Sequence, residues 1–218
     1  NSDTISKFGK KRALIVNCYA DETRRPVARR HKVPQTLGPV FLAGGLNPAK
    51  WEIKLYNELY DGPLEDEGLL GWPDLVVLTG LITSLDRMRH VTAYARTKNP
   101  RVVVAGGGHV VRALPSYCTT FLDYVCLGDV EEIRDVVRDA FGPQYAAEEM
   151  RPRVDLAHYI GRLGYAETSR YCNFSCSFCT LTAEGRAFKP YRQEEIRQQL
   201  PASGGQTDFA LIANNVSG

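Results

Sequence analysis

Four short β-branched runs, separated by turn residues and by stretches of helical periodicity, constrain this chain more than any other feature. They lie at residues 13–17 (ALIVN), 75–79 (LVVLT), 102–105 (VVVA) and 124–127 (YVCL), with a weaker alternating run at 51–56 (WEIKLY). Apolar runs of this length, bounded by turns, suit strands buried on both faces of a parallel sheet. Leu85, Met88, Val91 and Ala95 fall at helical spacing, and Ile133, Val136, Val137, Ala140 and Phe141 do so more cleanly. Strand followed by helix, repeated, predicts an α/β fold with a right-handed, doubly wound parallel sheet. Ligands of such sheets bind beyond the carboxyl ends of the strands, so the informative loops follow Asn17, Thr79, Ala105 and Leu127.

Gly106, Gly107, Gly108 and His109 come directly after the run at 102–105. Consecutive glycines allow positive φ and a close approach to the backbone. They do not complete a dinucleotide fingerprint, because Val111 stands where the last glycine belongs. Their plain reading is a tight turn from strand to helix, with His109 bonding locally. The basic stretch from Cys18 through Arg24, Arg25, Arg29, Arg30, His31 and Lys32 reads as a solvated loop, or as a cover for an anionic or flat ligand. The whole chain is nearly balanced, with 27 Lys and Arg against 25 Asp and Glu, which argues against a nucleic-acid partner. At 44% hydrophobic residues it can bury a core. No apolar run nears the roughly 20 residues needed to span a bilayer, and residues 1–12 lack a signal-peptide core, so the chain reads as cytoplasmic, without a membrane partner.

The alternation breaks after Phe141. Residues 142–160 are polar and proline-bearing and read as a linker between a sheet domain at 1–141 and a second domain at 161–218. The second domain opens with a strand at 163–169 (LGYAETS). Pro190 stands at an expected helix start, with Glu194 and Glu195 in the first turn and Ile196 and Leu200 on one face, and 209–213 (FALIA) is the next strand. Strand, ligand-bearing loop, helix and strand make the first unit of a β/α barrel. The chain starts at Asn1 rather than Met, and its final strand has no element to cover it, so a fragment with the rest of the barrel missing is expected.

The loop after that opening strand reads Arg170 Tyr171 Cys172 Asn173 Phe174 Ser175 Cys176 Ser177 Phe178 Cys179, a C-x-x-x-C-x-x-C pattern. Three thiolates in one short loop can hold a four-iron four-sulfur (4Fe-4S) cluster and leave the fourth iron open to substrate. Zinc would want a fourth Cys or His nearby, and the nearest is His158, on the other side of the strand. A disulfide among three cysteines leaves one over and strains the loop.

With Phe178 just before the last cysteine, this loop resembles the signature of the radical S-adenosylmethionine (SAM) superfamily. The resemblance implies that Cys172, Cys176 and Cys179 hold the cluster, that SAM chelates the open iron and is cleaved to a 5′-deoxyadenosyl radical, and that Phe178 lies against the adenine. The first domain is similar to the Rossmann-like cobalamin-binding domain fused ahead of such barrels, on Pro34, Leu37, Gly38 and Leu42, on Gly106, Gly107 and His109, and on Leu127 Gly128 Asp129 Val130 Glu131 Glu132. Asp129 departs from that family's Gly-Glu-x-Glu pattern, and no Asp precedes a His at the spacing of the cobalt-ligating motif. The corrin is therefore expected near Thr79, Gly106, Gly107, Gly108, His109, Leu127 and Gly128, without a histidine below cobalt. Asn214 and Asn215 match only weakly the segment that binds the SAM amine.

Taken together, the resemblance implies a cobalamin-dependent radical SAM methyltransferase of the class B type. In it methylcobalamin delivers a methyl group to an unactivated carbon of a small molecule or peptide, with a flavodoxin-type or ferredoxin-type protein as electron donor. Alternatives are a cyclase or rearrangement enzyme, a non-catalytic cofactor-sensing module, and a methylthiotransferase. The last needs a second cluster on three cysteines of the first domain; Cys18, Cys118 and Cys126 are three in number but read better as buried small hydrophobes. Direct methyl transfer needs both cofactors to face one cavity, so the loops after Asn17, Thr79 and Ala105 are expected to turn toward residues 172–179, with Arg24, Arg25, Arg29 or Arg30 along the seam.

Overall fold

The run around Ile15 forms β1 (Lys11–Cys18), buried from Ala13 onward, because neighbours flank it on both sides and helices cover both faces. These neighbours are β2 (Trp51–Asn57) and β3 (Leu75–Gly80), followed outward by β4 (Val103–Gly107) and β5 (Tyr124–Val125). The order is β2-β1-β3-β4-β5 and every pairing is parallel, with Ala13 between Ile53 and Leu75 and with Val77 beside Ala105. This is the expected doubly wound α/β arrangement, and its strand order reverses between β1 and β3. The structure is a computed structural model that describes residues 9–19, 37–158, 164–200 and 209–213, and it divides into two units, Asn1–Met150 and Arg151–Gly218.

Side chains alternate across each strand, so each face has its own core. Leu14, Val16, Val76 and Leu78 pack on one face against Met88 and Val91 of the helix Leu85–Lys98. The helices of the first unit are α1 (Gly38–Gly44), α2 (Glu58–Asp61), α3 (Glu67–Gly71), α4 (Leu85–Lys98), α5 (His109–Ala113), α6 (Pro115–Cys118) and α7 (Ile133–Phe141). The opposite face takes α1 and α7: Ile133, Val136 and Val137 are buried, and Phe141 meets the ring of Trp51 edge-on at 4.9 Å. The helical spacing at both expected helices is thus the spacing of their buried sides.

Three boundaries differ from expectation. β4 continues through Gly106 and Gly107, which pair with neighbouring strands rather than forming a loop. β5 stops at Val125, and only the Cys126 N–H still reaches Gly106 O, at 2.8 Å. The start of the stretch read as a linker folds onto the sheet domain: Trp51 Nε1 donates to Tyr145 O at 2.9 Å, and Ala147 N donates to Gly45 O at 2.9 Å. Gly142 and Pro143 open a 3-10 turn at Pro143–Tyr145 instead of an extended connector.

In the second unit β6 (Gly164–Glu167) pairs in parallel with β9 (Phe209–Ile212), and β7 (Ser169–Arg170) pairs antiparallel with β8 (Lys189–Pro190). Its helices are α8 (Thr180–Glu184) and α9 (Gln193–Gln199). Strand, cysteine loop, helix and parallel strand follow in the expected order, although two parallel strands do not make a barrel. Gln199 finishes the β6 edge, donating to Glu167 O at 2.9 Å and accepting from Glu167 N at 2.8 Å. Pro190 does not start the helix. It sits in a two-residue edge strand, where a missing N–H is tolerated, and α9 begins three residues later with Arg192 N donating to Glu195 Oε2 at 2.7 Å. That bond, before any other cause, lowers the Glu195 carboxyl below its ordinary value. No helix among the described residues is long and apolar enough to cross a membrane.

Candidate functional site

The carboxyl edge of the first sheet gathers most residues expected there. Thr79 and Gly107 are register partners, and Gly108, at φ 92°, lies so close to β3 that a Cβ on it would come within 3.1 Å of both Gly80 O and Thr79 Oγ1. The turn therefore requires glycine at Gly108 for two independent reasons. Gly106 has a different one. A Cβ there would meet Leu122 at 2.5 Å and Met88 at 3.3 Å, so its missing side chain makes room for the core rather than for a ligand. His109, half-exposed, opens α5. Leu127, Leu81 and Ile82 are exposed along the same edge. Gly128 is held from two sides: its N–H donates to Glu132 Oε2, and its carbonyl accepts from Arg112 Nη2 at 3.1 Å. The Glu-rich turn after β5 thus has a structural task, the pinning of its own loop.

Beside this edge lies a buried polar cluster that the sequence reading missed. Arg87 Nε donates to Glu58 Oε1 at 2.7 Å, with both side chains nearly sealed from solvent. Glu58 also accepts from Leu64 N at 2.8 Å and from Tyr19 N at 3.1 Å, and Arg87 Nη2 donates to Leu64 O at 2.9 Å. Each ion thereby satisfies backbone groups as well as its partner, the condition under which a buried pair persists. Asn17 Nδ2 donates to Asn57 Oδ1 at 2.9 Å, while Asn57 Nδ2, fully buried, has no partner. Glu58 and Arg87 are far apart in sequence and sit in helices of different loops, so no local pattern announces them.

The first unit's cysteines are fold residues. Cys18 and Cys118 lie in the core, and Cys126 is partly covered. Burial pushes the Cys18 thiol well up, with Glu58 adding to it, and burial raises Cys118 as well. Burial and then Glu132 push Cys126 up to about 12. Thiols held protonated in this way are poor metal ligands.

Cys172, Cys176 and Cys179 have the opposite setting. All three are free thiols; Cys176 is exposed and the other two are half-buried. Their loop leaves β7 at Arg170 and enters α8, with Cys179 as the residue before its first turn. Cys179 N donates to Cys176 O at 3.1 Å, and Phe174 N points at Cys172 Sγ at 3.5 Å. Hydrogen bonds to the sulfurs are among the features that tune a bound cluster. Phe178 is 90% exposed and Phe174 57%, an unusual display of rings for residues the fold does not use. At the loop's base, Arg170 and Tyr191 share Glu167 Oε2 at 3.0 and 3.1 Å.

The donor chemistry of this loop fits an iron-sulfur cluster: three accessible thiols, one already receiving an N–H, at a spacing that leaves one iron open. As the loop stands, no three His, Cys, Asp or Glu side chains among the described residues are gathered tightly enough to hold a metal, so the sulfurs must draw together around one. His158 is exposed and joins no such group. Asn214, Asn215 and the basic stretch through Arg24, Arg25, Arg29 and Arg30 lie outside the described residues. In comparisons with known proteins, no family model matches this chain and no curated protein does.

Proposed function

We propose that this chain belongs to a cobalamin-dependent radical SAM enzyme that methylates an unactivated carbon of a small molecule or peptide. The observation that carries the reading is the accessible C-x-x-x-C-x-x-C loop, Cys172 to Cys179, lying between two parallel strands in the order strand, loop, helix, strand. The parallel sheet of the first unit supports the cobalamin part, with Thr79, Gly107, Gly108, His109, Leu127 and Gly128 along its carboxyl edge. When bound, the cluster supplies the electron that cleaves SAM and cobalamin supplies the methyl group.

The chain's own residues bind and orient. Cys172, Cys176 and Cys179 would hold the cluster, with the Phe174 N–H directed at the Cys172 sulfur. Phe178 offers an open ring face to adenine. Glu132 and Arg112 fix the turn at Gly128, so that Leu127 stays at the edge where a flat apolar ligand would rest.

The test is anaerobic reconstitution with iron and sulfide, then incubation with SAM, hydroxocobalamin and a chemical reductant or reduced flavodoxin. Formation of both 5′-deoxyadenosine and S-adenosylhomocysteine is expected. Formation of neither, from protein carrying a full cluster, overturns the reading.

A further inference from the structure

The backbone just ahead of the first loop cysteine adopts a conformation its residue disfavours. Tyr171 has a φ of 61°, and it is the only non-glycine residue in the left-handed region among those described. A bulky side chain stays there only where its surroundings hold it. Here the holder is Arg186. Its Nη1 donates to Tyr171 Oη at 2.7 Å, and its guanidinium carbon lies 5.4 Å from the centroid of the same ring. Arg186 follows Gly185, whose own φ of 63° ends α8. The residue immediately before Cys172 and the second residue after α8 are therefore joined, and all three cysteines lie on the segment between them.

We propose that Tyr171 and Arg186 form a clasp that positions the cysteine loop, forcing the left-handed turn out of which Cys172 emerges and fixing the far end of the helix that begins after Cys179. Both are positioning residues, acting through the backbone rather than on a bound group. The proposal rests on the reading of this loop as a cluster site, but the clasp itself has consequences in the metal-free protein. Cys172 is half-buried and Cys176 exposed, so the ratio of their reactivities reports how tightly the neck of the loop is held.

The experiment uses the full chain, anaerobic and reduced, in four forms: unaltered, Arg186→Ala, Tyr171→Phe, and Arg186→Ala combined with Tyr171→Gly. Two quantities are read: iodoacetamide labelling of Cys172 relative to Cys176 in metal-free protein, and the rate of iron loss to a chelator after reconstitution. Arg186→Ala should raise both by about tenfold, and Tyr171→Phe, which keeps the ring under the cation but loses the hydroxyl acceptor, by less. Glycine adopts the left-handed turn unaided, so the double variant should return iron loss to within about threefold of the unaltered chain. Unchanged labelling and iron loss in Arg186→Ala, or a double variant no better than the single one, overturns the clasp. If the unaltered chain takes up no iron, the cluster reading fails while the labelling ratio still decides the clasp.

Discussion

Three of the six cysteines sit in the first unit and three in the loop of the second, and the two sets could hardly be treated more differently. Cys18 and Cys118 are sealed among Leu14, Val16 and Leu122, and Cys126 is partly covered and feels the charge of Glu132, each with its thiol pushed up. Cys172, Cys176 and Cys179 are half-buried or exposed, in company with two rings turned to solvent. In the first unit the fold itself uses the glycines and the acid of the carboxyl edge: Gly106 clears Leu122, Gly108 clears Gly80, and Glu132 holds Gly128. In the loop the conspicuous residues have no such employment. Residues that packing does not need are where chemistry is to be sought.

This contrast predicts that substitutions in the first unit change stability and those in the loop do not. The largest effect should come from Glu58→Ala, which leaves Arg87 buried without its partner and strips an acceptor from Tyr19 N and Leu64 N. A loss of about 3 to 5 kcal/mol is expected in urea unfolding. A loss under about 1 kcal/mol would mean that water reaches the pair. Gly106→Ala should cost about 1 to 3 kcal/mol by pressing Leu122 and Met88 out of place.

A pH series sharpens the comparison at Cys126. Its folded thiol is raised from the ordinary 9.0 to about 12, so over that interval the unfolded chain ionises while the folded one stays protonated. The folded state then binds more protons, and stability must fall as pH rises from about 9 towards 12. Tyr124, raised to about 12 chiefly by its bond to Asp139, adds to the fall only above its ordinary 10.0. Cys126→Ala should lessen the fall of the unfolding midpoint between pH 9 and 10, where the raised Cys18 and Cys118 thiols account for the remainder, and leave the steeper loss above it. An unchanged slope would show the thiol to be open to solvent. The smallest effect belongs to the loop, where replacing Cys172, Cys176 and Cys179 by Ala should change the metal-free unfolding free energy by no more than about 0.5 kcal/mol.

The strands around Ile15, Val77 and Val104 were legible because burial on both faces demands unbroken β-branched runs, and α4 and α7 were legible because their spacing marks the buried side. Boundaries were less so. Glycine ordinarily ends a strand, yet Gly106 and Gly107 extend β4 through their pairing with β3, and at Gly106 Leu122 leaves no room for a Cβ. Pro190 looked like a helix start by local rule, but its neighbour Lys189 is paired across to Arg170, a partner that only the tertiary fold supplies. The real signal for α9 was Glu195 three residues after Arg192. At the candidate site the three loop cysteines were plain from spacing. The Glu58–Arg87 pair and the Tyr171–Arg186 clasp were not, since each joins residues whose separation in sequence carries no periodic trace.

Whether the accessible cysteines alone are the ligands is decided by comparing two triple variants after anaerobic reconstitution, reading iron content and charge-transfer absorbance. With Cys18, Cys118 and Cys126 replaced by Ala, about four irons per chain and the full absorbance should remain; with Cys172, Cys176 and Cys179 replaced, both should vanish. Iron retained by the second variant, or lost from a folded first one, would contradict the division between structural and ligating cysteines.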